Sequence, residues 1–442
     1  MDLYRDKIIL APMVRAGRTP LRLLSLKYGA DLCYTEEIVD TKLLNSQRIV
    51  NEAVGTIDYR NGDDIILRLS PEEKGKCVLQ IGTNNGESAA KIAKLVGDDV
   101  AAIDVNMGCP KPFSIHCGMG AALLKQTDKI KEILTSLKSA AIVPISCKIR
   151  CLDDQNDTLN LVREIEKCGV SALGVHGRRR DERQGDRCRI EEIREVVRCV
   201  GGDLPIIANG VSGEINTYSD ILRQKAESGA SSIMIARKAL ATPSIFRKDG
   251  GILSKYEDIG NFLDLAAEYD ENYTMTKYVI QRILGSDQEY DPRGKATVEA
   301  GSVLEICRAF QKEDVYEKWR KERQRKQSKR KIFENPEDGT LQIDVSFPLK
   351  KLKNAQKAAP TPKQVINSYC DEKKLAKPVY EVTRRDDKRF IATVELNGKK
   401  YKSGIGQVNV RMAEQVAALA ALYGLEERSR LKGEWEEEDN EE

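Results

Sequence analysis

The sequence predicts an α/β fold: a TIM (β/α)8 barrel, then a helical region, then a smaller α-β-β-β-α unit. Two observations predict the barrel. Eight short apolar runs alternate with helical stretches between residues 8 and 237, which is the size and rhythm of eight βα units. The runs are continuously apolar, as parallel strands buried on both faces are. A doubly wound Rossmann fold is the alternative, but no G-x-G-x-x-G follows the first run and six strands would be usual there.

The elements of the predicted barrel follow in chain order. The strands are Ile8–Met13, Leu32–Thr35, Val78–Ile81, Ala102–Val105, Ile145–Ile149, Ala172–Val175, Pro205–Ala208 and Ser232–Ile235. The helices between them include Ser88–Leu95, Thr127–Leu137, Thr158–Cys168 and Ile190–Val200.

Composition limits the function classes. The 442 residues allow two or three domains, and 72 Lys and Arg against 69 Asp and Glu leave a net charge of only +3. The partner must therefore be identified from the distribution of charge. A mean hydropathy of −0.47 and the absence of a long apolar run exclude a transmembrane helix. The first residues, MDLYRDK, carry acids, so we expect no signal or transit peptide and no membrane partner.

The cysteine and histidine counts bear on metals and on compartment. Eleven cysteines are an odd number, and none forms a C-x-x-C pair, which indicates reduced thiols in the cytosol or nucleus. The only two histidines, His116 and His176, exclude a multi-histidine centre, and no metal is expected.

The stretch from Ala101 to Leu124 is the most informative one. Its first half is typical of a buried strand, and a glycine-punctuated loop follows, with Cys109 between Gly108 and Pro110. Parallel α/β folds place their chemistry just past the carboxyl ends of strands. The alternative is an inert buried thiol, since free cysteine is among the most buried residue types.

Polar or cationic groups follow nearly every predicted strand, so the barrel would carry them together on one rim. Each alone could be a cap or a salt-bridge residue, but so many together indicate a site. They are Glu36, Glu37, Gln80, Asn106, Cys109, Lys148, Arg150, His176, Arg178, Asn209 and Arg237.

This rim has the features of a flavin site. The loops after strands seven and eight are the usual phosphate site of a barrel, and here they contain Asn209-Gly210 and Ala236-Arg237. Lys148 flanked by His176 would stabilise negative charge on a planar ring above the strand ends. With a cysteine on a flexible loop, these features favour a flavin mononucleotide (FMN) reductase.

Eight motifs in order resemble those of the tRNA-dihydrouridine synthases: IILAPMV, LQIG, DVNMGCPK, GMGAALL, CKIR, VHGR, IANG and IAR. The resemblance implies that FMN, reduced by NADPH or possibly NADH, passes hydride to C6 of a uridine flipped out of tRNA. It also implies that Cys109, in the GCP motif, protonates C5. The FMN contacts it implies are Pro12, Met13, Val14, Gln80, Lys148, His176, Asn209, Gly210, Val211, Ala236 and Arg237.

The residue after Asn209-Gly210 departs from the family pattern. Val211 stands where a small or acidic residue often follows Asn-Gly, so only its backbone is expected to contact FMN. The thiol of Cys109 must be protonated to act as an acid. Asn106 and Arg178 are the candidates for holding the flipped base, and the run from Arg178 to Arg180 is expected to meet RNA phosphates rather than to fold the barrel.

Beyond Pro243 the pattern changes to helices without strands. Ile259–Tyr278 repeats apolar and aromatic residues near helical spacing, which favours a packing face. Val315–Lys331 is strongly basic; a solvated helix or linker is the ordinary interpretation, and an RNA-binding arm or nuclear signal is the alternative. The resemblance implies a helical domain that cradles tRNA with the barrel.

The last part resembles a double-stranded-RNA-binding domain, which reads A-form shape, phosphates and 2′-OH groups. Leu341–Phe347 alternates like a half-buried strand, and helices are expected over Pro362–Lys374 and Val408–Gly424 around three strands with a turn at Asn397-Gly398. The usual lysine cluster of the second helix is replaced by Asn409-Val410-Arg411. The predicted RNA contacts, with Arg180 of the barrel, are Lys350, Lys351, Lys353, Thr361, Lys363 and Arg411.

Five segments are therefore predicted: the barrel (1–242), a helical domain (243–333), a linker with a basic extension (334–360), the RNA-binding domain (361–425) and an acidic, disordered tail (426–442). Barrel and module together resemble the eukaryotic branch of the family, which reduces uridine 20 in the D-loop of cytoplasmic tRNAs. A cytoplasmic monomer that binds tRNA, with a nuclear pool possible, is expected. The rivals are a small-molecule FMN reductase of the dihydropyrimidine or dihydroorotate type and a non-catalytic RNA-binding relative.

Overall fold

In the computed structural model, the described residues are 3–62, 64–183, 185–328, 333–336, 338–345, 360–427 and 430–431. Twelve strands occupy the first part of the chain. They are β1 (Ile8–Leu10), β2 (Leu32–Tyr34), β3 (Ile38–Val39), β4 (Gln47–Asn51), β5 (Thr56–Asn61), β6 (Asp64–Leu69), β7 (Cys77–Gly82), β8 (Ala102–Met107), β9 (Ile145–Arg150), β10 (Ala172–His176), β11 (Ile206–Asn209) and β12 (Ser232–Ile235).

Eight of these strands form the predicted TIM barrel. β1, β2 and β7 to β12 pair in parallel, each with its neighbour, and the sheet closes because β1 pairs with both β2 and β12 while β2 pairs with β7. Their side chains alternate between two cores. Ile9, Tyr34 and Val78 belong to a cluster inside the barrel, whereas Ile8 and Leu10 pack outward against the helices. Burial on both faces explains why the runs are continuously apolar.

Some of the helices around the barrel begin at side-chain caps. Asp154 and Thr217, for example, accept hydrogen bonds from backbone N–H groups of the first turns of the helices that follow them. The helices are α1 (Thr19–Lys27), α2 (Asp40–Leu44), α3 (Gly86–Val96), α4 (Pro112–His116), α5 (Thr127–Ala140), α6 (Gln155–Lys167), α7 (Ile190–Cys199), α8 (Tyr218–Ser228) and α9 (Arg237–Ala241).

A small antiparallel sheet, β4-β5-β6, is inserted between the second and third barrel strands. This sheet was not predicted from the sequence. Its inner residues Tyr59, Leu67 and Leu69 are buried in the same core as the outer face of the barrel. The insertion is therefore part of the barrel's packing.

The described residues of the predicted helical domain form six α-helices. They are α10 (Lys255–Glu268), α11 (Tyr273–Leu284), α12 (Asp287–Tyr290), α13 (Pro292–Glu299), α14 (Val303–Ala309) and α15 (Glu313–Ser328). The stretch of helical spacing over Ile259–Tyr278 is divided between α10 and α11. Asp270 has a φ of 51°, and the side chain of Asn272 accepts from the N–H of Thr274 at 2.9 Å, so one helix ends and another begins there.

The final unit has the predicted α-β-β-β-α order. Its elements are β13 (Phe333–Glu334), β14 (Leu341–Gln342), α16 (Pro362–Lys373), β15 (Val379–Arg384), β16 (Phe390–Leu396), β17 (Lys399–Lys402) and α17 (Val410–Gly424). We call β13 to α17 the module. β13 and β14 extend its sheet beside β17, and Ile343 and Val345 lie in its core. The sheet therefore begins ahead of the predicted boundary at residue 361, inside the predicted linker.

The module contacts the inserted sheet of the barrel through a buried arginine. Arg389, 8% exposed, donates to the carbonyl of Asn45 at 2.5 Å and to Oδ1 of Asn61 at 2.7 Å. Beside it, Nε2 of Gln47 donates to Asp387 at 2.9 Å. No helix within the described ranges is long and apolar enough to cross a membrane.

Candidate active site

The ends of β7 and β8 are tied together by a chain of amides and a carboxyl group. Nε2 of Gln80 donates to Oδ2 of Asp104 at 2.8 Å, and Nδ2 of Asn106 donates to Oε1 of Gln80 at 2.9 Å. Oδ1 of Asn106 accepts from the N–H groups of Gly108 and Cys109 at 3.0 and 2.9 Å. Asn106 therefore positions the cysteine loop, and one hydrogen of its amide group remains for another acceptor.

Cys109 is half-buried on this loop, which Arg150 of β9 also holds by donating from Nε to the carbonyl of Gly108 at 2.8 Å. Burial and the neighbouring Glu37 carboxylate raise the pKa of the thiol to about 11. The thiol is therefore protonated at neutral pH. That state suits a proton donor and disfavours a nucleophile, because the thiolate is the nucleophilic form.

Lys148 and His176 lie on adjacent strands, since β9 and β10 pair in register. Burial and the nearby Arg150 lower the pKa of Lys148 to about 8, and Asp104 opposes this shift. Burial lowers the pKa of His176 well below its usual value, and the charges of Lys148, Arg150, Arg178 and Arg237 add to the effect. His176 is thus a neutral imidazole surrounded by cations. Its buried Nδ1 has no hydrogen-bond partner, so the rim offers both a polar atom and positive charge to a ligand.

The ends of β11 and β12 complete the rim. Asn209, 4% exposed, donates from Nδ2 to the carbonyl of Met234 at 3.0 Å. Gly210 has a φ of 116°, and a Cβ atom there would lie 2.7 Å from Sγ of Cys188 and 3.2 Å from the His176 ring. Only glycine lets the backbone pass this close to the imidazole.

Two family models match the chain: the dihydrouridine synthase model over residues 9–342 and the double-stranded RNA binding motif over residues 362–425. The chain belongs to the dihydrouridine synthase family. Among its curated relatives, the tRNA-dihydrouridine(20) synthase of Schizosaccharomyces pombe is 41% identical over 293 residues, which are 64% of this chain and 60% of that protein. The Saccharomyces cerevisiae enzyme of the same name is 34% identical over 328 residues, 69% of this chain and 84% of that one.

Part of the chain is also similar to a solved structure. A crystal structure of a tRNA-dihydrouridine(20) synthase dsRBD domain is 33% identical and covers 20% of this chain and 89% of that chain, with a TM-score of 0.18. The chain spans 60% of the length of the fission yeast relative, and it covers 89% of the dsRBD structure.

Within this dihydrouridine synthase barrel, the predicted flavin residues gather at one end. Pro12 and Met13 are half-buried and Val14 is 44% exposed after β1, and Val211, 3% exposed, lies in the loop after β11. Ala236 is half-buried and Arg237 is exposed at the start of α9. The structure places all of these at strand ends, and their contact with FMN stays a prediction.

The structure does not support two of the predicted RNA contacts. Arg178 is 6% exposed and donates to the carbonyls of Gly210 at 2.6 Å and Asp186 at 2.8 Å, so it holds the loop after β11 rather than a base. Nζ of Lys363 donates to Glu414 at 2.6 Å and lies 4.4 Å from the centre of the Tyr380 ring. This lysine supports the packing of the module's two helices.

The other predicted RNA contacts are distributed over three places. Arg180 is exposed beside the rim, and Arg411 is exposed on the first turn of α17. Thr361 caps α16 by accepting from the N–H of Gln364. Lys350, Lys351 and Lys353 lie outside the described residues, as do residues 428, 429 and 432–442 of the predicted tail. The start of that tail is not disordered as predicted, because Leu431 is buried in the core of the module and Arg430 pairs with Glu372.

Asp104 was not predicted as a site residue, and Glu37 and Arg150 were predicted only as groups at strand ends. Asp104 is 1% exposed inside the strand IDVN, and a charged residue in the middle of an apolar run was the available signal. Arg150 directly follows the predicted fifth strand. Nothing local connects these residues to the cysteine loop, because their partners come from other strands.

Asp104 yields a prediction about stability. Burial raises the pKa of its carboxyl group to about 6, against hydrogen bonds from Gln80 and Ser146 that lower it. Since the folded-state pKa lies above the unfolded one, this group's contribution to stability is lost as the pH rises through 6. In urea unfolding, the free energy of unfolding of Asp104→Asn relative to that of the wild type should be about 2 kcal/mol higher at about pH 7 than at about pH 4.

The change with pH, rather than the absolute difference, is the informative quantity, because any hydrogen bond that Asp104→Asn removes is missing at both pH values. Asp153→Asn, which alters an exposed carboxylate, is the matched control and should show no comparable change. Equal pH dependence of the Asp104→Asn and wild-type proteins would contradict the raised pKa.

Proposed function

We propose that this protein reduces uridine to 5,6-dihydrouridine in tRNA, using bound FMN and NADPH, with NADH as a possible substitute. Family membership and the names of the yeast relatives support the reaction and the NAD(P) reductant. The observation that carries the proposal is a protonated thiol, Cys109, on the same barrel rim as a cationic pocket around the neutral His176.

The residues of this rim fit FMN. Its isoalloxazine ring bears negative charge when reduced, which matches Lys148 and the arginines around His176, and the unpartnered Nδ1 of His176 is a polar atom available to the ring. Lys148 and His176 would hold the ring, and the loops that begin at Asn209 and Ala236 would hold the phosphate. When bound, FMN would supply the hydride for C6 of the uracil ring.

The chain's own residues then account for the proton. Hydride addition at C6 of uracil leaves negative charge towards C5 and O4, and the thiol of Cys109 donates its proton to C5. Asn106 and Arg150 keep the thiol loop in place through the N–H of Cys109 and the carbonyl of Gly108. The uridine must leave the RNA stack to reach this rim, as in other base-modifying enzymes.

We propose that the substrate is uridine 20 of the D-loop in cytoplasmic tRNA, in line with the activity that the names of the two yeast relatives state. The module, matched by the RNA-binding family model, would hold the folded RNA. The eleven cysteines, all free thiols, suit the reducing cytoplasm. Immunofluorescence tests the cytoplasmic location. Mapping of dihydrouridine in tRNA from cells that lack the protein tests the position of the modified uridine.

The cofactor is tested on the purified protein. It should be yellow, release FMN on denaturation and lose its flavin absorbance when NADPH is added under nitrogen. Lys148→Ala should retain less FMN than wild type, because a buried cation of the pocket is removed, whereas the exposed-lysine variant Lys125→Ala should retain as much as wild type.

The substrate is tested next with unmodified tRNA, free uracil and dihydroorotate. Only tRNA should be converted, with dihydrouridine appearing at position 20. A colourless protein that takes up no FMN, or turnover of a free pyrimidine in place of tRNA, would refute the proposed function.

A further inference from the structure

Glu37 is a buried carboxyl group beside the reactive cysteine. It follows β2 and is 8% exposed. No Lys, Arg or His among the described residues forms a salt bridge with it. Its carboxyl group lies close enough to the thiol of Cys109 for each group to shift the pKa of the other, and Oε1 accepts from Oγ of Ser114 at 3.2 Å. A Cβ atom at Gly120 would lie no more than 3.0 Å from both that Oγ and Cβ of Cys109, so Ser114 links the carboxyl group to the cysteine. Oε2 is buried and has no hydrogen-bond partner.

The backbone around this carboxyl group leaves room for it. A Cβ atom at Gly82, the last residue of β7, would lie only 2.7 Å from Oε1 of Glu37. Ser114, completely buried on α4, approaches from the cysteine loop. Strand β7 and the cysteine loop thus enclose one carboxyl group and one thiol.

An unpaired carboxylate in such a place costs free energy, so a structural role alone accounts for it poorly. Burial raises the pKa of Glu37, while the neighbouring thiol of Cys109 and the hydrogen bond from Ser114 oppose the shift. A carboxyl group with a raised pKa can carry a proton nearer to neutral pH than an ordinary glutamate can.

We propose that Glu37 is the proton-relay partner of Cys109: its carboxylate keeps the neighbouring thiol protonated and returns a proton to Sγ after each reduction. The inference rests on the proposed function of Cys109 as the proton donor. In the first step the S–H bond breaks and the proton forms the new C–H bond at C5 of uracil. The Glu37 carboxylate, which is the resting form, then takes one proton from solvent. In the last step its O–H bond breaks and the S–H bond forms again, which restores the carboxylate and balances the cycle.

The charges near the thiol come from several elements. Lys148 and Arg150 of β9 interact with Cys109 and stabilise its thiolate, and the backbone of Lys111 does the same by a hydrogen bond. Glu37 acts in the opposite direction and is the anion that keeps the proton on sulfur. Removing its charge should therefore make Cys109 ionise at lower pH.

The test compares Glu37→Gln with wild type by alkylation of Cys109 with iodoacetamide as a function of pH, followed by mass spectrometry of the peptide. Because a fall of one unit in pKa makes the thiolate tenfold more abundant, Glu37→Gln should alkylate about tenfold faster at pH 8. The exposed Cys117 is the internal standard in the same loop. This readout needs neither tRNA nor turnover, so it can fail while the proposed function stands.

A second readout is the pH profile of dihydrouridine formation. The alkaline limb of the rate should move to lower pH in Glu37→Gln, and the rate at pH 8 should fall about tenfold or more. FMN content and flavin reduction by NADPH should remain near wild type. Asp40→Asn is the matched control, since Asp40 is a buried carboxylate three residues away that accepts from Thr83 at 2.7 Å.

Glu37→Asp serves if Glu37→Gln does not fold with FMN. Aspartate keeps the charge, but its shorter side chain places the carboxylate further from the thiol. Alkylation at pH 8 should therefore be faster and dihydrouridine formation slower than in the wild type, both by less than in Glu37→Gln. Alkylation and rate profiles of the folded variant that coincide with those of wild type and Asp40→Asn would overturn the proposal.

Discussion

Replacing Cys109 with alanine should lower the rate of uridine reduction in tRNA by about 10²–10⁴-fold, the usual contribution of a general acid. The thiol is half-buried on a loop fixed by Asn106 and Arg150, and its raised pKa keeps it protonated. Quantification of dihydrouridine in tRNA by mass spectrometry measures the decrease.

The same Cys109→Ala protein should bind FMN and oxidise NADPH at nearly the wild-type rate, because Cys109 is not among the predicted flavin contacts. Cys117→Ala is the matched control: this exposed thiol lies eight residues further along the same loop and should be dispensable. Wild-type tRNA reduction by Cys109→Ala would mean that the proton comes from another group.

The positions of several site residues could be predicted because parallel strands of a barrel end at one rim. Gln80 and Lys148 lie near the ends of apolar runs, Asn106 and His176 directly follow such runs, and the closed barrel brings them to one rim. The hydrogen bonds that join Gln80, Asp104 and Asn106 could not be predicted, since register decides which amide faces which carboxyl group. The pairing of β7, β8 and β9 supplies that register.

The roles of individual cations could not be predicted from local sequence. Arg178 and Lys363 were both expected to face RNA. Within the fold, however, Arg178 donates to Gly210, 32 residues away, and Lys363 donates to Glu414, 51 residues away. The sequence shows only that a cation is present. Whether it meets solvent depends on which long-range acceptors the tertiary structure brings to it.

Two features of the fold that were not predicted have similar causes. The sheet of β4, β5 and β6 lies where an α/β unit would have a helix, and its strands are recognisable only once they pair with one another. The break between α10 and α11 depends on one residue, Asp270, with a left-handed backbone. Neither feature changes the apolar periodicity on which the helix prediction was based.

The contact between the module and the barrel bears on how RNA is held. Arg389 inserts between the carbonyl of Asn45 and the side chain of Asn61, and Gln47 reaches Asp387, so the interface is polar and draws on the inserted sheet. A barrel without the module would expose polar groups rather than an apolar face. It should therefore fold alone.

Ending the chain after Ser328 removes the whole module, including β13 and β14, and should weaken tRNA binding severely while sparing flavin content and NADPH oxidation. Every predicted flavin residue lies before α10, whereas the predicted contacts with duplex RNA lie mostly in or next to the module. Because cations that neutralise phosphates release counterions, the log–log slope of affinity against salt should become shallower. The expected change is about 0.9 for each phosphate that the truncated protein no longer neutralises, a value taken from B-DNA.

Three point variants separate the RNA surface of the module from its attachment. Arg411→Ala removes an exposed cation and should reduce both tRNA affinity and the salt slope, whereas Lys363→Ala should do so less, because Lys363 is already paired with Glu414. Arg389→Ala keeps the module's exposed cations but removes its anchor, so the salt slope should stay that of the full-length protein. Equal tRNA affinity and equal salt slope in the truncated and full-length proteins would show that the barrel and the helical domain hold tRNA without the module.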